Sequence, residues 1–234
     1  MGVEINTDSS CFVCGGTSFV QSIVLEDELI GDWGLSQNEV DYINRQQGFA
    51  CLHCGNNLRA NVLAKGLGSE LGNFNSLDEI AHSGKFDQIK ILEINECHKL
   101  TKHLDKFPNH ILIEFPEYDI HNLKLEDKEW DFVIHSDTLE HLEDPLKALR
   151  ECHRILKPTG KLLFTTPIIV DRISRNRKGL SASYHGDYKK HDPGMLVHTE
   201  FGVDIWTMIA EAGFTQIKFT FLNFPAGIAI TAWK

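Results

Sequence analysis

The stretch WDFVIHSDTLEHLEDPLKALRECHRILKPTGKLLFTTP, residues 130–167, decides the fold of this chain. Its first residues form a short apolar run that ends at polar side chains, which is typical of a buried parallel strand. Four residues then recur at the spacing of one helix face: Leu146, Leu149, Cys152 and Leu156. Pro158 and Gly160 end this predicted helix, and residues 161–166 return to the sheet.

This succession of strand, loop, helix and strand places one loop in a special position. Residues 135–143 connect the first predicted strand to the helix, so they lie at the carboxyl edge of a parallel sheet. Open α/β sheets bind their ligands in the crevice at that edge. The sequence therefore predicts an α/β fold with a ligand site at this loop.

The bulk properties limit the classes of protein and partner. A chain of 234 residues with 42% hydrophobic residues suits one good-sized domain plus a small attachment. It has no apolar run near the ~20 residues of a membrane helix, and its polar start does not resemble a signal peptide. We therefore expect a cytoplasmic protein without a membrane partner.

The charge distribution bears on a nucleic-acid partner. The net charge is −10, the first sixty residues are acidic, and the basic side chains cluster only at residues 172–178. A nucleic-acid partner would need a basic stripe that neutralises phosphates. We expect none, and we interpret the basic cluster as a solvated loop or as a contact for an anionic substrate.

Two CxxC pairs near the start of the chain indicate a metal site: Cys11, Cys14, Cys51 and Cys54. Without a secretion signal, such pairs are more typical of a metal site than of disulfides, and four thiolates would hold one structural Zn²⁺ with no open position. Buried unligated cysteines and a redox pair are the alternatives. Between the pairs, residues 37–47 predict a helix with Ser36 as its N-cap and Glu39 completing a capping box.

Three segments of the deciding stretch resemble class I S-adenosylmethionine-dependent methyltransferases of the type 11 group: DFVI at 131–134, DTLEH at 137–141 and RILKPTG at 154–160. The resemblance implies a Rossmann-like sheet closed by an antiparallel hairpin, here residues 214–221 and 226–233. The cysteine pairs resemble the N-terminal zinc ribbon of some members. We therefore predict a zinc-ribbon domain with a helical insertion and linker at 1–68. A methyltransferase domain at 69–234 would follow, with an insertion at 168–198.

The resemblance also implies that S-adenosylmethionine binds along the strand ends. Nine residues are the predicted contacts: Glu93, Ile94, Asn95, Glu114, Asp119, His121, His135, Ser136 and Leu139. This chain departs from the family in two places. The loop after Glu93 has no glycine, and too few residues separate Glu114 from Asp119 for the usual helix and strand. The sheet is therefore expected to be trimmed, and either acid could hold the ribose.

Residues 171–198 form a long polar and aromatic segment next to the predicted cofactor edge. Long irregular segments in such places are usually functional or disordered. We predict a lid over the acceptor site that supplies Tyr184 and His185, followed by a helix at 200–212. The candidate bases are His185, His141 and His135, because histidine titrates near neutrality.

The leading functional interpretation is methyl transfer to an oxygen or nitrogen of a small molecule. The alternative is a non-catalytic methyltransferase-like scaffold that binds a protein partner through its zinc ribbon. A third interpretation, nucleic-acid methylation guided by the ribbon, is opposed by the acidic ribbon end. The oligomeric state and the acceptor are not indicated by the sequence.

Overall fold

The computed structural model describes residues 3–6, 10–72, 74–185 and 193–234. Its helices are α1 (Asp27–Trp33), α2 (Gln37–Gly48), α3 (Leu58–Leu71), α4 (Leu77–His82), α5 (Thr101–Leu104), α6 (Pro145–Ile155) and α7 (Ile205–Glu211). The strands are β1 (Val3–Asn6), β2 (Ser18–Gln21), β3 (Phe49–Cys51), β4 (Ile91–Ile94), β5 (His110–Ile113), β6 (Trp130–Ser136), β7 (Leu156–Thr165), β8 (Ile168–Ile169), β9 (Arg175–Asn176), β10 (Thr199–Gly202), β11 (Gln216–Leu222) and β12 (Gly227–Trp233). Among the described residues, no helix combines the length and the apolar character that crossing a bilayer requires.

A six-stranded sheet in the order β11-β12-β7-β6-β4-β5 forms the centre of the molecule. Strands β5, β4, β6 and β7 are parallel, whereas β12 runs antiparallel to both β7 and β11. The sequence predicted this parallel sheet with a closing hairpin, and the prediction is confirmed. No strand or helix lies between β5 and β6, so the sheet is trimmed, as expected.

The two faces of this sheet carry separate hydrophobic cores. Neighbouring residues of β6 alternate between them: Phe132 and Ile134 face one core, and Val133 faces the other. This alternation follows from the two-residue period of a strand. Helix α3 covers the first face, where it packs on β7, β11 and β12, and helices α6 and α7 belong to the second core.

Helix α3 spans the predicted boundary at residue 68. We expected its first part to link two domains, but its buried residues pack directly against the central sheet. The division into residues 1–68 and 69–234 stays a prediction, and the contacts of α3 place both segments in one shared core.

The N-terminal region is a three-stranded antiparallel sheet, β1-β2-β3, with α1 and α2 inserted between β2 and β3. Helix α2 begins where the sequence predicted. The Ser36 hydroxyl accepts a hydrogen bond from the Glu39 amide, and the Glu39 carboxylate accepts one from the Ser36 amide. This reciprocal pair is the predicted capping box, which satisfies two otherwise unpaired amides of the first turn.

The insertion after β7 adds a second small sheet, in the order β8-β10-β9. The predicted helix at 200–212 is wrong at its start, because residues 199–202 form β10 and the helix begins at Ile205. Phe201 lies within the predicted helix, but it pairs with Ile168 of β8 and is buried there. Gly186 and Asp187, which were part of the predicted lid, lie outside the described residues.

Candidate active site

A cavity of about 490 Å³ opens at the carboxyl edge of the central sheet. Ser136 and Asp137 at the end of β6, and Glu96 and His98 after β4, form its base. Apolar side chains from the segment that carries α1 and α2 form one wall: Leu25, Leu29, Trp33, Leu35 and Ile43. A pocket of this size with an apolar wall and a polar base is typical of small-molecule sites.

An ion pair between Arg59 and Asp137 lies in the base of this cavity. Arg59 belongs to the first turn of α3, and Asp137 directly follows β6. Gln47 also donates a hydrogen bond to the Asp137 carboxylate, at 3.0 Å. The Nε of Arg59 is buried and has no hydrogen-bond partner within the described parts of the chain. The pair therefore presents one cationic and one anionic group to a ligand.

The loop after β4 replaces its missing glycines with residues that tolerate a left-handed backbone. Asn95 has a φ of +59°, a conformation that asparagine adopts more readily than most other residues. Its side-chain oxygen accepts a hydrogen bond from the Phe115 amide at 3.0 Å. The side chain thus connects the ends of β4 and β5 while the backbone turns beneath the cavity.

Glu93 is one of the predicted cofactor contacts, but its side chain points into the protein. One carboxylate oxygen accepts hydrogen bonds from the Cys97 amide and the Thr101 hydroxyl, both at 2.7 Å. The other oxygen lies 2.9 Å from Nε2 of His110. Since the side chain is fully buried and both oxygens have partners, Glu93 holds the loop in place from below.

Three other predicted cofactor residues have buried side chains. Ile94 and Leu139 belong to the second hydrophobic core. His135 stacks on Phe164 with the ring centroids 4.9 Å apart, and burial lowers its pKa to about 3. These side chains support the edge of the sheet from within, whereas Ser136 does line the cavity, and its hydroxyl is hydrogen-bonded to that of Thr165.

The two candidate ribose acids lie beyond β5, at the outer end of the same edge. Glu114 directly follows β5 and is exposed. Asp119 is engaged with its own turn: its Oδ1 accepts a hydrogen bond from the His121 amide and lies 2.7 Å from Nδ1 of His121. The hydrogen bond from that amide lowers the pKa of Asp119. Of the two acids, Glu114 is therefore the one whose carboxylate is not held by hydrogen bonds within its own turn.

The insertion brings Tyr184 and His185 to the cavity, where they meet His141. The rings of His141 and His185 contact each other edge to face with centroids 5.0 Å apart. Burial, together with His141, lowers the pKa of His185 to about 3, and burial also lowers the pKa of His141. Both imidazoles are thus neutral near pH 7 and are weak proton acceptors.

Charged contacts tie the insertion to the inserted helices of the N-terminal region. Arg172 binds both carboxylate oxygens of Glu39, at 2.7 and 2.8 Å, and Arg177 pairs with Asp32 at 3.0 Å. The indole of Trp33 donates to the Ser183 hydroxyl at 2.7 Å. Most basic side chains of the cluster at 172–178 therefore form ion pairs within the protein.

The four cysteines of the two CxxC pairs lie together, with all four sulfurs within 4.8 Å of one another. Cys11 and Cys54, and likewise Cys14 and Cys51, have their sulfurs 3.8 Å apart. Sulfurs around a tetrahedral Zn²⁺ with bonds of ~2.3 Å are separated by about 3.8 Å. The donor set and its spacing thus fit this ion.

Both knuckles share one backbone geometry. The Gly15 amide bonds to the Cys11 carbonyl, and the Gly55 amide bonds to the Cys51 carbonyl, each at 2.8 Å. Both glycines have positive φ. The second knuckle packs against the side chain of Lys99, and a Cβ on Gly55 would overlap with Nζ of that lysine.

Comparison with known proteins shows what the central part of the chain is similar to. Residues 76–164 match the family described as Methyltransferase domain. Over 68 residues, 29% of this chain, it is 34% identical to glycine/sarcosine/dimethylglycine N-methyltransferase of Actinopolyspora halophila. Over 88 residues, 37% of the chain, it is 28% identical to ubiquinone biosynthesis O-methyltransferase of Pseudomonas syringae pv. tomato. The matches cover only 12% and 35% of those two relatives.

Among solved structures, an S-adenosylmethionine-dependent methyltransferase from Thermotoga maritima aligns with 65% of this chain and 85% of its own, at 17% identity and a TM-score of 0.37. The family match and the strand order of the central sheet support a class I methyltransferase fold in the central part of the chain.

Several residues of the cavity were missed by the sequence analysis. Arg59, Gln47 and Trp33 come from the segment that was assigned to the zinc ribbon and its linker. Only the fold places them at the sheet edge, so no local pattern could have found them. Asp137 could have been predicted from the sequence, because it is the first residue of the DTLEH segment on which the family resemblance rests.

Proposed function

We propose that this protein transfers a methyl group from S-adenosylmethionine to a small molecule bound in the cavity. The observation that carries the proposal is the Arg59–Asp137 ion pair at the carboxyl edge of a methyltransferase sheet. The cofactor ends in an α-amino acid, which is a zwitterion. The guanidinium of Arg59 matches its carboxylate, and the Asp137 carboxylate matches its ammonium group.

In this arrangement the rest of the cofactor follows the strand ends. Asn95 lies beneath its centre, and Glu114 would accept hydrogen bonds from the ribose hydroxyls, with Asp119 as the alternative. If Glu114 has this role, Glu114→Ala should weaken cofactor binding by about 1–3 kcal/mol. An unchanged affinity would assign the ribose to Asp119.

The cofactor already carries an activated methyl group, so the protein mainly aligns an in-line attack and excludes water. The apolar wall from residues 25–43 and the insertion with Tyr184, His185 and His141 enclose the end of the cavity where the acceptor would bind. The two curated relatives act on a nitrogen and an oxygen, respectively. We therefore propose a small acceptor with one of these atoms.

The proposal includes one structural Zn²⁺ at Cys11, Cys14, Cys51 and Cys54, supported by the sulfur spacing. It includes no nucleic-acid partner, because Arg172, Arg175 and Arg177 of the basic cluster are in ion pairs. The proposal includes a cytoplasmic location, because a site of four free thiolates is more typical of a reducing compartment than of an oxidising one.

Isothermal titration with S-adenosylmethionine and with its demethylated product tests the proposal. Arg59→Gln and Asp137→Asn should each weaken binding roughly tenfold to a hundredfold, since each removes a charged hydrogen bond. Arg150→Gln is the matched control, because Arg150 makes an exposed ion pair with Glu211, at 3.5 Å. If the wild-type protein binds neither ligand, the proposal fails and the scaffold alternative takes its place.

A further inference from the structure

We propose that Glu140, His141 and His185 form a second metal site, which binds a divalent transition-metal ion at the acceptor end of the cavity. One oxygen or nitrogen atom from each residue lies within 4.8 Å of the other two. Oε1 of Glu140 is 3.8 Å from Nε2 of His141 and 3.8 Å from Nδ1 of His185. These three residues are separate from the four cysteines.

The Glu140 carboxylate gives the strongest indication of a ligand. Its Oε2 accepts a hydrogen bond from the Thr166 hydroxyl at 2.9 Å. Its Oε1 is buried and has no hydrogen-bond partner anywhere in the described ranges, although only 1% of the residue is exposed. A buried carboxylate oxygen left unpaired is costly, and a bound cation would satisfy it.

His141 is oriented as a metal ligand. Its Nδ1 lies 3.0 Å from the Leu196 carbonyl oxygen, which can only accept a hydrogen bond. The proton of the neutral ring is therefore on Nδ1, and Nε2, which lies 3.8 Å from Oε1 of Glu140, carries the lone pair. Ligating histidines commonly donate their other ring nitrogen to a carbonyl in this way, which fixes the tautomer and the ring orientation.

His185 completes the set from the insertion. Its ring packs against Trp33, with centroids 5.8 Å apart, and against His141. Ligands around a tetrahedral ion with bonds of 2.0–2.1 Å are separated by about 3.3 Å. The two separations between Oε1 and the imidazole nitrogens, 3.8 Å each, would therefore shorten by about half an ångström when an ion binds.

Two histidines and one carboxylate leave a fourth position of a tetrahedral ion open. His141 and His185 line the cavity, so that position would face the proposed acceptor. This role rests on the proposed function and indicates an acceptor with a hydroxyl group. Bound to the ion, the hydroxyl loses its proton more readily to water. Its oxygen then forms the bond to the methyl carbon, and the carbon–sulfur bond breaks with its electron pair left on sulfur.

Calorimetric titration with Zn²⁺ alone, in the absence of cofactor and acceptor, tests the site. Wild-type protein whose cysteine site is already filled should bind one further equivalent per chain. Glu140→Gln and His185→Ala should each weaken that binding roughly tenfold or more. His82→Ala is the matched control, because His82 is exposed and contacts the Asp78 carbonyl.

Elemental analysis separates the two sites, since Glu140→Gln and His185→Ala should lose the further equivalent and keep the zinc of the four cysteines. His185 lies on a partly exposed loop, so His185→Ala tests the site even if Glu140→Gln fails to fold. A wild-type protein without a further equivalent, or variants that bind as well as wild type, would overturn the inference. Because no cofactor is present, this outcome is independent of whether the protein transfers methyl groups.

Discussion

At the scale of single residues, Asn95 adopts a backbone conformation typical of glycine in the loop beneath the cavity. Its backbone is left-handed, and its side chain joins the ends of β4 and β5. Sequence alone indicated a departure from the family at this position. It could not reveal that the backbone conformation is kept, since asparagine and glycine share this region of φ and ψ.

Two substitutions of Asn95 separate its backbone role from its side-chain role. Both Asn95→Gly and Asn95→Ala remove the acceptor for the Phe115 amide. Only alanine must also adopt the positive φ, at a cost of roughly 1–2 kcal/mol. We expect Asn95→Ala to bind the cofactor more weakly and to melt at a lower temperature than Asn95→Gly. Calorimetry and thermal unfolding measure this, and equal behaviour of both variants would exclude a backbone role.

At the scale of elements, the pairing of Glu39 with Arg172 joins helix α2 to the insertion. The same carboxylate completes the capping box of α2, and Arg172 also donates to the carbonyls of Trp33 and Gly34. The sequence predicted the capping box because its two partners are three residues apart. The arginine is 133 residues away, so its partner could not be read from any local pattern.

This pairing predicts a pH-dependent contribution to stability. Burial alone would raise the pKa of Glu39, but the hydrogen bonds from Arg172 and Ser36 lower it below 4.5. The stabilisation is therefore complete above the unfolded pKa of 4.5 and is lost as the pH falls through the lower folded value. At pH 7, Glu39→Gln should lower the free energy of unfolding by about 1–3 kcal/mol.

Urea unfolding from pH 7 to pH 3 measures this difference. Wild type and Glu39→Gln should converge in acid, because the wild-type carboxyl is then protonated as well. Glu28→Gln is the control, since Glu28 is exposed on the neighbouring helix. A gap that stays constant down to pH 3 would mean that the charge of Glu39 is not the source of its contribution.

At the scale of the whole molecule, the four cysteines and the loop after β4 are parts of one packed unit. The carbonyls of Phe12 and Val13, in the first knuckle, accept hydrogen bonds from the amides of Leu77 and Asp78 in α4. The second knuckle packs on Lys99, next to the loop after β4. Loss of the proposed zinc should therefore disturb the loop after β4 and weaken binding at the proposed cofactor site.

Cys51→Ser tests this coupling, because metal ligation and local folding are linked. We expect loss of the zinc from the cysteine site, a lower melting temperature and weaker cofactor binding. Cys152→Ser is the matched control: it changes a buried cysteine of α6 that is not among the four, and it should keep the zinc. Elemental analysis and calorimetry provide the readings. Normal cofactor affinity in zinc-free Cys51→Ser would show that the ribbon and the site are independent.

The sequence predicted the sheet, its closing hairpin and the cysteine pairs, because each depends on spacing within a short segment. It did not predict the Arg59–Asp137 pair or the apolar wall from the segment that carries α1 and α2. Those features arise only when segments far apart in the chain are folded against one another. Glu93 and His135 were predicted to contact the cofactor because they lie at strand ends. A position at a strand end does not reveal which way a side chain faces, and both side chains are buried.

The segment that contains α1 and α2 begins and ends at neighbouring points of the small sheet. Gln21 at the end of β2 pairs with Phe49 at the start of β3, and the Ser22 amide bonds to the Gly48 carbonyl at 3.0 Å. The segment between these two points therefore begins and ends at the same place in the sheet. Lengthening such a loop adds little to the entropic free energy of closing it, about 0.6 kcal/mol for each doubling of its length. The segment also supplies the apolar wall of the cavity. We therefore expect that residues 22–48 can be exchanged for another segment, and the acceptor proposed for the cavity changed with them, while the flanking strands and cysteines stay as they are.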